Sequence, residues 1–186
     1  MRPSKRDVLV QKALEVFYEN GFHATGMDLL AKRTGVSKTS MYKHFRTKEE
    51  LILAALRLRD ENFRNWLIRK MEELSDTPKG QLLAGFDALE EWFEEPGYKG
   101  CMFIKAAAEF QQADDPIHRA AAEHKRQLHT HFTELAERAG ANNPSQLASQ
   151  LLLLKEGAIV IAQLRGSSGV AKEAKAAAET LMEAAF

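Results

Sequence analysis

Apolar residues recur at intervals of three and four along most of this chain, and period-2 runs of Val, Ile, Thr and aromatics are absent. That spacing lays an apolar stripe along a helix and would scatter it over both faces of a strand, so the fold class expected is all-α. Residues that lose little freedom in a helix (Ala, Leu, Glu, Lys, Arg and Gln) fill the segments between breaks. The breaks are chemically marked. Ser4–Asp7, Thr25–Asp28 and Thr47–Glu50 have capping-box spacing, a hydroxyl followed three residues later by an acid. Thr77-Pro78, Asp115-Pro116 and Asn143-Pro144 each set a capping residue before a proline suited to the first helical position. Gly21, Gly35, Gly140 and Gly166 mark helix ends. Helices are therefore expected near 4–20, 27–34, 38–44, 48–74, 78–94, 101–112, 116–139, 144–165 and 170–185.

Three short helices precede six mostly longer ones, which places a domain boundary at Arg46-Thr47 and divides the chain into 1–46 and 47–186. At the end of the first domain, TGMDLLAKRTGVSKTSMYKHFRTK (25–48) meets the steric demands of a helix-turn-helix. Leu30 and the small Ala31 suit the crossing of two helices, Gly35 accepts a positive φ, and Val36 can tuck inward. Ser37 can cap the second helix, and Met41 and Phe45, four residues apart, can pack with Leu9, Ala13 and Phe17. Thr34 is more polar than the position before the turn requires. The opposite face carries Lys38, Thr39, Ser40, Lys43 and His44, the residue types that reach base edges and phosphates from a helix in the major groove. Thr25 and the first-turn amides of its helix could hold a phosphate, as could Lys48.

Composition sharpens this picture in one respect. The 186 residues are formally neutral, but residues 1–48 carry ten Lys/Arg against four Asp/Glu, and the remainder carries 16 against 22. A basic quarter on an acidic body points to a local polyanion-binding face. A single cysteine leaves no intramolecular disulfide. Arg2, Lys5 and Arg6 lead into an amphipathic rather than a continuously apolar stretch, so no signal peptide is expected. The longest apolar run is broken by Lys155 and Glu156, so no membrane span is expected either, and the chain is read as cytoplasmic.

The run Gly21-Phe22-His23-Ala24-Thr25, then Gly35-Val36-Ser37-Lys38, Met41-Tyr42-Lys43-His44-Phe45 and Lys48-Glu49-Glu50-Leu51 closely resembles the tetracycline-repressor (TetR) family of bacterial regulators. The resemblance implies that Thr25, Tyr42 and Lys48 contact phosphates and that Lys38, Thr39 and Ser40 face bases. It also implies a small-effector-binding second domain that dimerises through its last two long helices, here 144–165 and 170–185. The sequence is compatible. Leu151–Leu154 and Ala158–Ile161 make the first of these helices apolar nearly all round, and Ala171, Ala174, Ala178, Leu181 and Ala185 give the second a small-residue face for a partner.

The effector-pocket candidates are Phe63, Trp66, Phe86, Trp92, Phe103 and Phe110, with Leu67, Leu89 and Phe93 beside them. Cys101 opens a predicted helix, where the helix N-terminus and Lys99 or Lys105 would favour a thiolate able to report oxidation or electrophiles; the alternative is a small buried apolar residue. His118, His124, His129 and His131 share one helix, but no pair has the i,i+4 ligand spacing, so no metal is expected, and no cofactor. No GxSxG, GxGxxG, P-loop or HExxH motif is present. The function expected is a homodimeric repressor released from a palindromic operator by a small-molecule or redox signal, and not an enzyme. The alternatives are a small Cys/His-dependent enzyme and an architectural protein that binds DNA without specificity.

Overall fold

The computed structural model describes Ser4–Phe186; Arg2 lies outside the described residues. Nine α-helices and no strand are found among them: α1 (Lys5–Asn20), α2 (Met27–Thr34), α3 (Lys38–His44), α4 (Lys48–Leu74), α5 (Pro78–Glu94), α6 (Met102–Glu109), α7 (Pro116–Ala139), α8 (Pro144–Arg165) and α9 (Val170–Ala185). Local chemistry accounts for most ends. Ser4 and Asp7 form a reciprocal capping box, Thr77 Oγ1 accepts from the Gly80 amide at 3.1 Å, and Asn143 Oδ1 accepts from the Gln146 amide at 3.3 Å. Two expectations are corrected. The cap of α2 is Gly26 rather than Thr25, whose hydroxyl instead donates to the Gly21 carbonyl at 2.6 Å. Helix α6 ends at Glu109, not residue 112, because the His118 ring Nδ1–H donates to the Phe110 carbonyl at 2.8 Å in place of a helical amide.

The chain forms two compact units, each drawn from two stretches of sequence. The first runs through Asn62 and resumes over Met102–His124; the second comprises Phe63–Cys101 and Lys125–Phe186. The change from one to the other falls inside α4 and again inside α7. In the first unit Leu9, Ala13, Phe17, Phe22, Leu30 and Met41 are fully buried, with the Phe17 and Phe22 rings 5.5 Å apart. In the second, α5, α8 and α9 pack on one another around Leu82, Phe86, Leu151, Ile159, Ala178 and Met182.

Helix α8 is long and apolar enough to cross a membrane by length and composition, with a mean hydropathy of 1.4 over its most apolar 18 residues. Its packing against α5 and α9, and the ion pair at its centre described below, are those of a core helix.

Candidate nucleic-acid interface

The turn between α2 and α3 is built as its residue types require. Gly35 ends α2 in the left-handed region at φ 70°, where a side chain would be strained. Thr34, unexpectedly polar in the sequence, is buried and closes the turn: its hydroxyl accepts from the Val36 amide at 3.2 Å and its carbonyl from the Lys12 ammonium at 2.7 Å. Ser37 caps α3 through the Ser40 amide at 3.2 Å. Met41 and Phe45 then anchor α3 in the core. Their burial fixes the rotation of this seven-residue helix, and that rotation leaves Lys38, Thr39, Tyr42, Lys43 and His44 exposed together. Ser37 is exposed and Ser40 is half-buried at the edge of this face.

Tyr42 is 51% exposed, which leaves its ring and hydroxyl on the same face as Lys38, Lys43 and His44. The Lys38 ammonium pairs with Asp28 in the first turn of α2 at 2.5 Å. That pair is solvated and weak, so an incoming phosphate can displace it. The first-turn amides of α2 have no side-chain cap, which leaves them open to an anion.

Two residues expected at phosphates are engaged elsewhere. Thr25 is fully buried, and its hydroxyl is spent on the turn that follows α1. The Lys48 ammonium donates to the Phe22 carbonyl of the same turn at 3.1 Å, although its two other hydrogens remain for a phosphate. Burial removes Thr25 from the interface, and the role left to it is structural.

Sequence comparison decides the family. Residues 9–55 match the bacterial regulatory proteins of the tetR family, and residues 78–178 match the tetracycline-repressor-like C-terminal domain. The chain belongs to the TetR family. A crystal structure of a TetR-family regulator from Streptomyces coelicolor is 27% identical, superposes with a TM-score of 0.90, and covers 97% of this chain and 95% of its own. A TetR regulator from Streptomyces avermitilis is 31% identical with a TM-score of 0.87, covering 98% of each chain. The HTH-type transcriptional regulator YjdC of Escherichia coli is 26% identical over 155 residues, 83% of this chain and 81% of that one. This TetR-family chain is thus a DNA-binding transcriptional regulator, with α2 and α3 as its helix-turn-helix.

In the second unit of the regulator, four of the six pocket candidates are found. Phe63 lies 5.5 Å from Trp66 and 4.9 Å from Trp92, whose ring meets Tyr98 at 5.1 Å, and Phe86 is buried in the same unit. The other two belong to the first unit. Phe103 stacks on His124 at 3.7 Å, and Phe110 packs against Phe22 and His23.

Cys101 is buried, and a lysine not expected from the sequence faces it. Lys105 donates to the Tyr18 carbonyl at 3.2 Å, and the ammonium beside the sulfur is that of Lys125, at 3.4 Å. Lys125 also pairs with Glu156, which pairs in turn with Lys155 at 3.2 Å. Lys155 is only 2% exposed, its ammonium 5.6 Å from the Phe63 ring centre. Burial pushes Lys155 below its ordinary range against the pull of Glu156. Burial would raise Glu156, but Lys155 and then Lys125 outweigh it and hold the carboxyl at about 2. For Lys125, burial is outweighed by the facing Cys101 sulfur and Glu156, and its pKa is raised. Sequence reasoning treated Lys155 and Glu156 only as an interruption; two charges inside an otherwise apolar helix were the signal for this cluster.

The four histidines do not converge. His118 holds the Phe110 carbonyl, His124 pairs with Asp60 at 2.7 Å, and His129 Nε2 meets Ser149 Oγ at 2.9 Å. His131 is held below its ordinary pKa mainly by burial. Among the described residues no three His, Cys, Asp or Glu side chains gather as metal ligands do.

The small-residue face of α9 also differs from expectation. Ala171 and Ala178 are buried within their own unit, because α8 and α5 pack there; Ala177 and Ala184 point outward instead. On α8, Leu153 and Leu164 are 74% and 77% exposed, with Val160 and Ile161 between them.

Proposed function

We propose that this regulator is a cytoplasmic homodimeric repressor that leaves a palindromic operator when a small-molecule or redox signal arrives. The observation that carries the reading is the joint exposure of Lys38, Thr39, Tyr42, Lys43 and His44 on a helix whose rotation Met41 and Phe45 fix. Lys38, Thr39 and Ser40, near the start of α3, face base edges; Tyr42, Lys43, His44 and Lys48 meet phosphates. It acts by binding, with no catalytic step.

Dimerisation uses α8, where Leu153, Val160, Ile161 and Leu164 form a stripe too apolar to leave in water, and the outward side of α9. Two copies present two recognition helices to half-sites about one helical turn apart. The signal acts on the second unit, at the aromatic group of Phe63, Trp66 and Trp92 or at Cys101. Helix α4, continuous from Lys48 to Leu74, carries the response, since a shift along it changes the spacing of the two recognition helices.

Selection of bound duplexes from a random pool, with and without a thiol oxidant, tests the reading. It should return a palindrome, and the oxidant should alter recovery only if Cys101 is the sensor. Equal affinity for every duplex would instead favour a non-specific architectural role.

A further inference from the structure

The turn after α1 has four main-chain groups that no helix can satisfy, and each is met by a side chain. Thr25 donates to the Gly21 carbonyl at 2.6 Å, and Lys48 donates to the Phe22 carbonyl at 3.1 Å. The two amides are met from far along the chain: Phe22 N–H donates to the two Glu109 oxygens at 3.0 and 3.1 Å, and His23 N–H to Glu109 Oε2 at 2.6 Å. Two successive amides pointing into one concavity make an anion site, and here the anion is the chain's own carboxylate. Gly21 is required by its φ of 81°, and a Cβ there would sit 2.9 Å from Glu109 Oε1 and push that carboxylate from the amides.

One turn earlier on α6, Lys105 donates to the Tyr18 carbonyl at 3.2 Å, near the end of α1, with its ammonium 5.1 Å from the Tyr18 ring centre. The charges are matched to the polarity of what they hold: a cation on the carbonyl end of a helix, an anion on the amides beyond it. Phe110, next after Glu109, packs on Phe22 and His23 with ring centres 6.1 and 4.7 Å away. All these residues belong to the first compact unit.

We propose that Lys105 and Glu109 are positioning residues for DNA binding, a two-ended clasp from α6 that fixes the turn between α1 and α2 and so aims the helix-turn-helix. The inference rests on the DNA-binding reading above and adds the residues that set its strength. Neither side chain touches DNA. They act through the direction in which Gly21–Gly26 delivers α2, on which α3 is packed.

The test uses the full chain and a duplex recovered from the random pool, with E109Q, K105M and K105R as variants. Charge-assisted hydrogen bonds are lost in the first two, so affinity should fall about tenfold in each. The slope of log affinity against log salt should stay that of the native chain, because no phosphate contact is removed. K105R keeps a donor and should restore most of the binding. Hydrogen exchange at the Phe22 and His23 amides supplies a second readout, and both should lose protection in E109Q. Loss of that protection with affinity still within about twofold of native would overturn the proposal, since the bonds would then serve stability alone. A slope reduced by a whole phosphate contact would also overturn it, by making Lys105 a direct ligand. If the native chain binds every duplex equally, the regulator reading fails, and the clasp is read from the common affinity instead.

Discussion

Helices α3 and α8 use their lysines in opposite ways. On α3, Lys38 and Lys43 stand in water, where they cost folding almost nothing and can exchange counterions for phosphates. On α8, Lys155 has given up its hydration and depends on Glu156, while Leu153 and Leu164 of the same helix face outward. A charge kept in water can be changed without unfolding the protein; a charge taken out of water cannot lose its partner. On the function proposed above, the contrast therefore separates residues that set binding from residues that set stability.

The largest expected effect breaks the α8 side of that contrast. Leu153→Glu with Leu164→Glu changes two exposed positions, so the chain should fold but elute as a monomer, and operator affinity should fall a hundredfold or more, to about that of one half-site. A variant that remains dimeric by light scattering would remove this stripe from the interface.

Next come the buried charges. Glu156→Ala leaves two lysines without their anion and should cost about 3 kcal/mol in urea unfolding, whereas Lys155→Met, an apolar side chain of similar length, should be near neutral. Equal losses would mean that packing, not charge, matters there. Because Glu156 is held at about 2 rather than its ordinary 4.5, its contribution is fully present above pH 4.5. That contribution disappears as pH falls from 4.5 toward 2, and over that window the native chain should approach the Glu156→Ala variant.

On α3, Tyr42→Ala should weaken binding to all duplexes about tenfold, and Thr39→Ala should change which duplexes are recovered, both without moving the melting temperature. A drop in melting temperature would place Tyr42 in the fold rather than in the interface. The smallest effect concerns His131. Burial lowers its pKa, so the folded state holds it neutral and stability declines as pH falls through its ordinary value of 6.5. His131→Gln should flatten the stability profile there.

Much of the recognition helix was legible in advance. Gly35, the Ser37 cap and the Met41–Phe45 pair are short-range features, and they place the exposed residues on one face through helical geometry alone. Thr25 was misplaced because its spacing to Asp28 suits a cap equally well, and only the fold of the preceding turn brings it under the Gly21 carbonyl. On α9 both sides are alanine-rich, so periodicity could not say which side α5 and α8 would cover. Lys125 was missed beside Cys101 because 24 residues separate them, and the nearer Lys99 and Lys105 carry the same charge.

Sequence alone determined nine helices, most of their caps and the face of α3, because each depends on residues within about one helical turn of one another. Tertiary structure decided the rest: that α6 clasps the turn before α2 through Glu109, 87 residues from Phe22, and that Cys101 meets Lys125 and Glu156. It also decided that Met102–His124 pack in the same compact unit as the helices before Asn62. Those pairings join main-chain groups and charges that burial would otherwise leave unsatisfied, and which distant residue satisfies them is settled only when the helices pack.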